Sequence, residues 1–274
     1  MGYVPVSSSE PLAHPLFIKI FFIMPTTWHE ATVVQLSDAA PNTRRFLLQV
    51  HQDEPFRFQP GQFVTLDLPT GDKRRDRWRS YSIANAPDET NMLELCIVQV
   101  DGGKASSFLF NQVSVGTTLR FKGPDGRFLL PDPTLPTARD LVFVCTGTGV
   151  APFRSMLLHL LRTGSPYRNL HLVFGTRFAD GILYREDFIR LAAELPGFRY
   201  SVTLSREQPP LPPLPITECR PGHVHACYRD RYAGPRPDTT FYLCGWSSMV
   251  DQATDILTKE MGYPPGQVRV ELYG

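Results

Sequence analysis

The chain has 274 residues, enough for one large domain or two modest ones, and its 42% hydrophobic and 20% charged residues are ordinary for a globular protein. A formal net charge of +1 gives no global field for nucleic acid or an anionic membrane, so electrostatic recognition must come from local patches. Five scattered cysteines without C-x2-C spacing argue against zinc and iron–sulfur centres, so no metal is expected, and reduced thiols suit a cytoplasmic protein.

Residues 1–26 stand apart. The apolar run from Leu16 to Met24 is interrupted by Lys19 and is shorter than the about 20 residues that a spanning helix needs. No basic segment precedes it and no small-residue cleavage site follows, so it does not read as a signal peptide. It is expected to be a poorly ordered extension, with natural translation beginning at Met24, and no integral membrane segment is expected.

The segment 27–135 reads as short strands and turns. EATVVQLS, TRRFLLQV, QFVTLDL, MLELCIVQV and TLRFKG are rich in Val, Leu, Phe and Thr, with turn chemistry at Pro60-Gly61, Thr70-Gly71-Asp72 and Gly123-Pro124-Asp125-Gly126. One helix is expected from Lys104 to Val113, and the whole suggests an antiparallel β-barrel. After PDPTLPTARD the texture changes, which places a domain boundary near 135 and a second domain over 136–274. DLVFVCTG is a continuous apolar run, as in a strand buried on both faces. Helices at Ala151–Arg162, Tyr184–Glu194 and Ser247–Met261 then alternate with LHLVFGT, FRYSVTLS, FYLCG and QVRVEL, the pattern of an α/β parallel sheet. The proline-rich stretch from Glu207 to Pro221 reads as a surface loop without assigned function.

Three segments carry chemistry. Thr146-Gly147-Thr148-Gly149 follows the first buried strand, and Pro152 suits the first turn of the next helix. Glycines there allow close backbone approach, and helix N–H groups suit a pyrophosphate, although such a turn also occurs without any ligand. Arg79, Tyr81 and Ser82 open a strand after a basic loop, where a guanidinium could meet a phosphate and a ring could stack on a heterocycle. Read alone, that strand is equally an ordinary edge. Gly103, Lys104, Ala105 and Ser106 begin the barrel's helix, a second phosphate cradle or simply a serine cap.

Together and in this order these motifs resemble the ferredoxin–NADP reductase family, its plant-type branch in particular. The likeness runs from about Glu30 to the C-terminus and extends to GPDG at Gly123–Gly126, LYREDF at Leu183–Phe188, Cys244-Gly245 and VELY at Val270–Tyr273. It implies an enzyme with FAD on the barrel and NADP(H) on the parallel sheet. Arg79, Tyr81 and Ser82 would lie against the flavin, and Gly103 to Ser106 would cradle the FAD pyrophosphate. The TGTGVAPFRS run, Thr146 to Ser155, would receive the nicotinamide nucleotide with Gly245. Ser82, Cys244, Glu271 and Tyr273 would be the catalytic set, with Tyr273 stacked where the nicotinamide must enter. Plant-type members end at that tyrosine, whereas Gly274 follows here.

Ser205 and Arg206 match the pair that holds a 2′-phosphate, which favours NADP, yet the following Glu207 could instead accept from an NAD ribose. Lys73, Arg74, Arg75 and Arg77 form a basic cluster that could steer an acidic carrier such as ferredoxin or flavodoxin, or could be a solvated loop. The rival function is an NADH-dependent reductase component of an oxygenase or a general flavin reductase; a third is a binding module that has lost redox activity. No nucleic-acid motif is present.

Overall fold

A computed structural model describes residues 27–136, 139–211 and 218–273; the expected N-terminal extension and Gly274 lie outside the described residues. The first half is a six-stranded antiparallel sheet of β1 (Trp28–Ala40), β2 (Thr43–Val50), β3 (Phe63–Asp67), β4 (Trp78–Ser82), β5 (Met92–Val98) and β6 (Thr118–Asp125), ordered β4-β3-β6-β1-β2-β5. A bridge from Ile83 to Leu95 joins its two edges and closes the barrel. Period-2 burial drives this closure: Phe46, Leu48 and Val50 of β2 point inward with Ala31, Val33, Val64, Leu66, Leu95 and Phe121. Helix α1 (Arg74–Arg77) forms within the basic loop, where no helix was expected, and packs beside α2 (Lys104–Asn111). Ala105 and Leu109 of α2 are buried in the barrel core.

The second half is a parallel sheet of β7 (Asp140–Thr146), β8 (Asn169–Thr176), β9 (Phe198–Leu204), β10 (Glu218–Pro221), β11 (Thr239–Trp246) and β12 (Val268–Tyr273), ordered β10-β9-β8-β7-β11-β12. Leu141 to Cys145 of β7 are almost fully buried because both faces are covered. Helices α3 (Ala151–Thr163) and α4 (Arg185–Glu194) pack one face, α5 (Val224–Arg231) and α6 (Ser247–Asp255) the other. The expected helix to Met261 continues past α6 as a wider turn, Ile256–Glu260. The strand order reverses between β7 and β11, so their carboxyl ends, Thr146 and Gly245, flank the crevice where open α/β sheets bind ligands. The stretch from Glu207 to Pro221 is not all loop: its end forms edge strand β10, and α5 follows.

Candidate active site at the domain junction

β4 runs beside β3 with Tyr81 opposite core residue Val64 and Ser82 opposite Phe63, so Tyr81 packs on the barrel core while Ser82 is buried on the other face, and Ser80 stays exposed. Tyr81 is half-buried, and burial pushes its phenol up to about 12 against the opposing pull of Arg79. The Arg79 guanidinium donates to the carbonyls of Arg75 and Trp78, both at 2.7 Å. At α2 the first helical bond runs from Ser107 N–H to Gly103, so the N–H groups of Lys104, Ala105 and Ser106 precede the helical ladder. The Ser106 hydroxyl lies within the loop itself, accepting from Val100 N–H at 3.1 Å and reaching the Gly103 carbonyl at 3.1 Å. A phosphate at this helix would therefore meet its backbone donors rather than that hydroxyl.

The two sheet glycines differ. Gly147 has φ +53° and open space around it, the nearest atom to a built Cβ being Trp246 Nε1 at 4.0 Å. A Cβ on Gly149 would lie 2.5 Å from the Cys244 carbonyl oxygen, so this glycine lets the loop touch the end of β11. Gly147 suits close approach of a ligand, whereas Gly149 is a packing position. Thr146 ends β7, Thr148 lies in the intervening turn, and Pro152 sits in the first turn of α3.

The four expected catalytic residues come together from both halves. Ser82 Oγ on the barrel donates to Glu271 Oε2 on β12 at 3.1 Å. Cys244 stands opposite Glu271 in the β11–β12 register, and Tyr273 follows two residues on. Burial raises the Glu271 carboxyl to about 7, opposed by the Ser82 hydrogen bond. Burial also raises the Cys244 thiol well above its ordinary range, with neighbouring Glu271 adding to it, so the sulfur is held as the neutral thiol. The Tyr273 hydroxyl is buried without a well-formed hydrogen bond, and burial is the first cause of its raised pKa. Beside Glu271 opens a cleft of about 500 Å³ lined by Phe63, Arg127, Phe128, Arg269 and Val270.

An oxidoreductase FAD-binding domain matches residues 30–129 and an oxidoreductase NAD-binding domain matches residues 143–255. The chain is 36% identical over 251 residues to ferredoxin–NADP reductase B of Sorangium cellulosum, covering 89% of this chain and 97% of that one. The chain belongs to the ferredoxin–NADP reductase family. It is an FAD- and NAD(P)-dependent oxidoreductase of that family. It is also 32% identical to the reductase component of a Pseudomonas phenol 2-monooxygenase, covering 85% of this chain but only 62% of that protein's length. The fold matches that of a ferredoxin NADP+ reductase from Neisseria gonorrhoeae solved with bound FAD and NADP, with TM-score 0.71, 22% identity, and coverage of 89% and 98%.

Trp246 and Arg177 stand at the carboxyl edge of the parallel sheet although no motif in the sequence pointed to them. Trp246, 55% exposed, faces Gly147 across the crevice. Arg206 N–H donates to the Arg177 carbonyl, which sets two arginines side by side beyond β8 and β9, neither in an ion pair among the described residues. Ser205 N–H donates to Thr176 at the same place. Glu207 turns away: its Oε2 accepts from Ala179 N–H at 2.9 Å, which ties down the carboxylate that could have met an NAD ribose. Arg177 directly ends LHLVFGT, so a cation at the carboxyl end of a parallel strand was the available signal. In the basic loop, Arg77 is held bidentately by buried Asp67, both contacts at 2.8 Å, and is not the free cation it looked in the sequence.

Proposed function

We propose that this protein is an NADPH-dependent reductase that holds FAD on residues 27–135 and the dinucleotide on 136–274, and passes single electrons to a small acidic carrier such as ferredoxin or flavodoxin. The observation that carries this reading is the Ser82–Glu271 contact, which joins the flavin strand to the final strand of the nucleotide domain. Bound FAD would supply the redox chemistry, accepting hydride from the nicotinamide and releasing electrons singly. The residues present fit that group: free helix N–H donors at Lys104 to Ser106, the Arg79 cation, the Tyr81 ring, and a buried Tyr273 hydroxyl with no good protein partner.

The chain's own residues have separable tasks in this reading. Gly147 admits the nucleotide's phosphates to the α3 N-terminus. Arg206 and Arg177 clamp a 2′-phosphate, and the engagement of Glu207 with Ala179 removes the acidic competitor. Cys244 and Tyr273 shape the nicotinamide slot. Glu271, poised near neutrality, holds or releases a proton through the Ser82 hydroxyl. All five cysteines are free, which suits a reducing cytoplasm, and among the described residues no helix is long and apolar enough to cross a membrane.

Likeness to an oxygenase reductase component supports a second reading, that of an NADH-dependent reductase component of an oxygenase. One experiment separates the readings: anaerobic titration of the purified holoprotein with NADPH and NADH, followed by a panel of carriers. Bleaching of the yellow colour with kcat/KM favouring NADPH, and turnover with ferredoxin or flavodoxin, are expected. A preference for NADH would remove the arginine clamp from the site.

A further inference from the structure

A second cluster of charge lies at the domain junction. Glu94 on β5, 7% exposed, accepts from Arg45 Nε at 2.7 Å and Nη2 at 3.1 Å, from Arg154 Nη1 at 3.3 Å and from Tyr184 Oη at 2.8 Å. Arg154 on α3, 9% exposed, also donates through Nε to Asp187 at 2.7 Å and through Nη1 to the Ala84 carbonyl at 2.8 Å. Next to it, Ser155 Oγ donates to the Asn85 carbonyl at 2.7 Å. The Tyr184 ring has Arg154 at 4.3 Å and Arg45 at 5.2 Å.

Tyr184 has φ +53°, a left-handed conformation that bulky side chains rarely adopt. Such a residue persists where its surroundings over-determine it, and here both ring and hydroxyl are engaged by the cluster. Its motif, LYREDF, has no other role in the site. The connectivity is equally specific. Ala84 and Asn85 directly continue the flavin strand beyond Ser82, and Arg154 and Ser155 stand in the first turns of the helix that presents its N-terminus to the nucleotide. The two cofactor motifs are thus tied to each other within a few residues of each: Arg154 and Ser155, at the end of the run expected to receive the nucleotide, direct their side-chain donors to Ala84, Glu94, Asn85 and Asp187 instead.

We infer that Arg154, Glu94 and Tyr184 form a latch between the domains that sets the nicotinamide-to-flavin spacing, acting as positioning residues for hydride transfer. This rests on the FAD/NADPH reading above. Hydride transfer demands an approach of about 3–3.5 Å, and a displacement of about 1 Å can cost about 100-fold in rate. A planar guanidinium can bridge Ala84, Glu94 and Asp187 at once, which a lysine ammonium cannot reproduce.

The test compares wild type with R154K and, as a milder change that keeps the ring, Y184F, both as FAD-loaded proteins. Stopped-flow reduction by saturating NADPH and the long-wavelength charge-transfer absorbance of the nicotinamide–flavin pair are measured, with FAD content and NADP+ Kd alongside. R154K should slow hydride transfer about 10- to 100-fold and weaken the charge-transfer absorbance, with Y184F following in smaller measure, while FAD content and NADP+ affinity stay unchanged. Variants that transfer hydride at the wild-type rate with wild-type absorbance, or that slow only in proportion to lost FAD, overturn the latch and leave the functional reading standing. A wild-type protein that takes no hydride from NADPH sinks both.

Discussion

Among the described residues Glu271 accepts a single side-chain hydrogen bond, from Ser82, and that donor does not offset the burial that lifts its pKa to about 7. The folded-state value lies above the ordinary carboxyl value of 4.5, so the folded protein binds this proton more tightly than the unfolded chain. The resulting stabilisation is fully present below pH 4.5 and is lost as pH rises through 7. Glu271→Gln keeps the shape and removes the titration. Thermal melts should therefore show almost no difference from wild type at about pH 4 and a more stable variant at about pH 8, by about 1–2 kcal/mol once screening at this part-exposed site is allowed for. A difference that does not change with pH would show that Glu271 does not titrate near neutrality. Other residues were legible only as types. The sequence marks Gly147 and Gly149 alike, and only the approach of the Cys244 carbonyl separates the open position from the packed one.

Elements were legible where burial imposes a period. The barrel strands alternate because one face is wet, and β7 is continuously apolar because neither face is. β10 escaped because Glu-Cys-Arg-Pro on a sheet edge carries no apolar alternation, and α1 because its four residues bury nothing. α5 buries only Val224, Cys227 and Tyr228, a helical spacing easily lost among its charges. These late elements nevertheless build a buried chain across the sheet. His171 Nδ1 meets Tyr232 Oη at 2.9 Å and Nε2 meets Ser201 Oγ at 2.9 Å, while Ser201 donates to Glu218 at 3.3 Å. With the serine proton directed at Glu218, Nε2 must donate, and in the neutral ring that burial favours Nδ1 accepts from the tyrosine. Burial lowers its pKa to about 3, and Arg231 and Arg199 push the same way. For a histidine this sign means that stability is full above pH 6.5 and falls as pH drops toward 3. From pH 7 to pH 5 the loss should be about 2 kcal/mol. Since Glu271 acts oppositely over the same window, the measurement is the difference between wild type and His171→Gln: denaturant melts should converge as pH falls. Parallel curves would mean that His171 does not resist protonation.

At the scale of the whole molecule, the two-domain plan was readable from the change of period near residue 135, but the junction was not. Glu94, Arg154 and Asp187 lie in three segments that the sequence does not connect, and they meet only because α3 docks against β5. The basic loop shows the reverse error. Arg77, counted among the carrier-steering cations, is occupied by Asp67, while Arg120 and Lys122 of β6 join the patch unannounced, stacking over Trp28 and Trp78 at 4.4 Å and 4.3 Å. Those rings pack edge to face at 5.3 Å, and Arg74 lies over Trp78 at 4.3 Å, so the surface presents cations on an aromatic platform. Lys73 and Arg75 stand exposed at its rim. If this face steers an acidic carrier, the encounter must weaken with salt, because exposed charges are screened beyond about 10 Å at 0.1 M ionic strength. Stopped-flow oxidation of the NADPH-reduced protein by an acidic ferredoxin or flavodoxin should slow steeply between about 0.01 M and about 1 M ionic strength. A Lys73→Glu, Arg75→Glu double variant should lose about tenfold in association rate at low salt and flatten that dependence, with FAD content as the control because α1 packs beside α2. Arg77→Met should instead lower the melting temperature, because buried Asp67 loses its bidentate partner and keeps only Arg120 at 3.8 Å, and keep the wild-type salt slope. A double variant with the same slope as wild type would move the carrier off this face, and the arginines of the cleft beside Glu271, Arg127 and Arg269, would be the next to reverse.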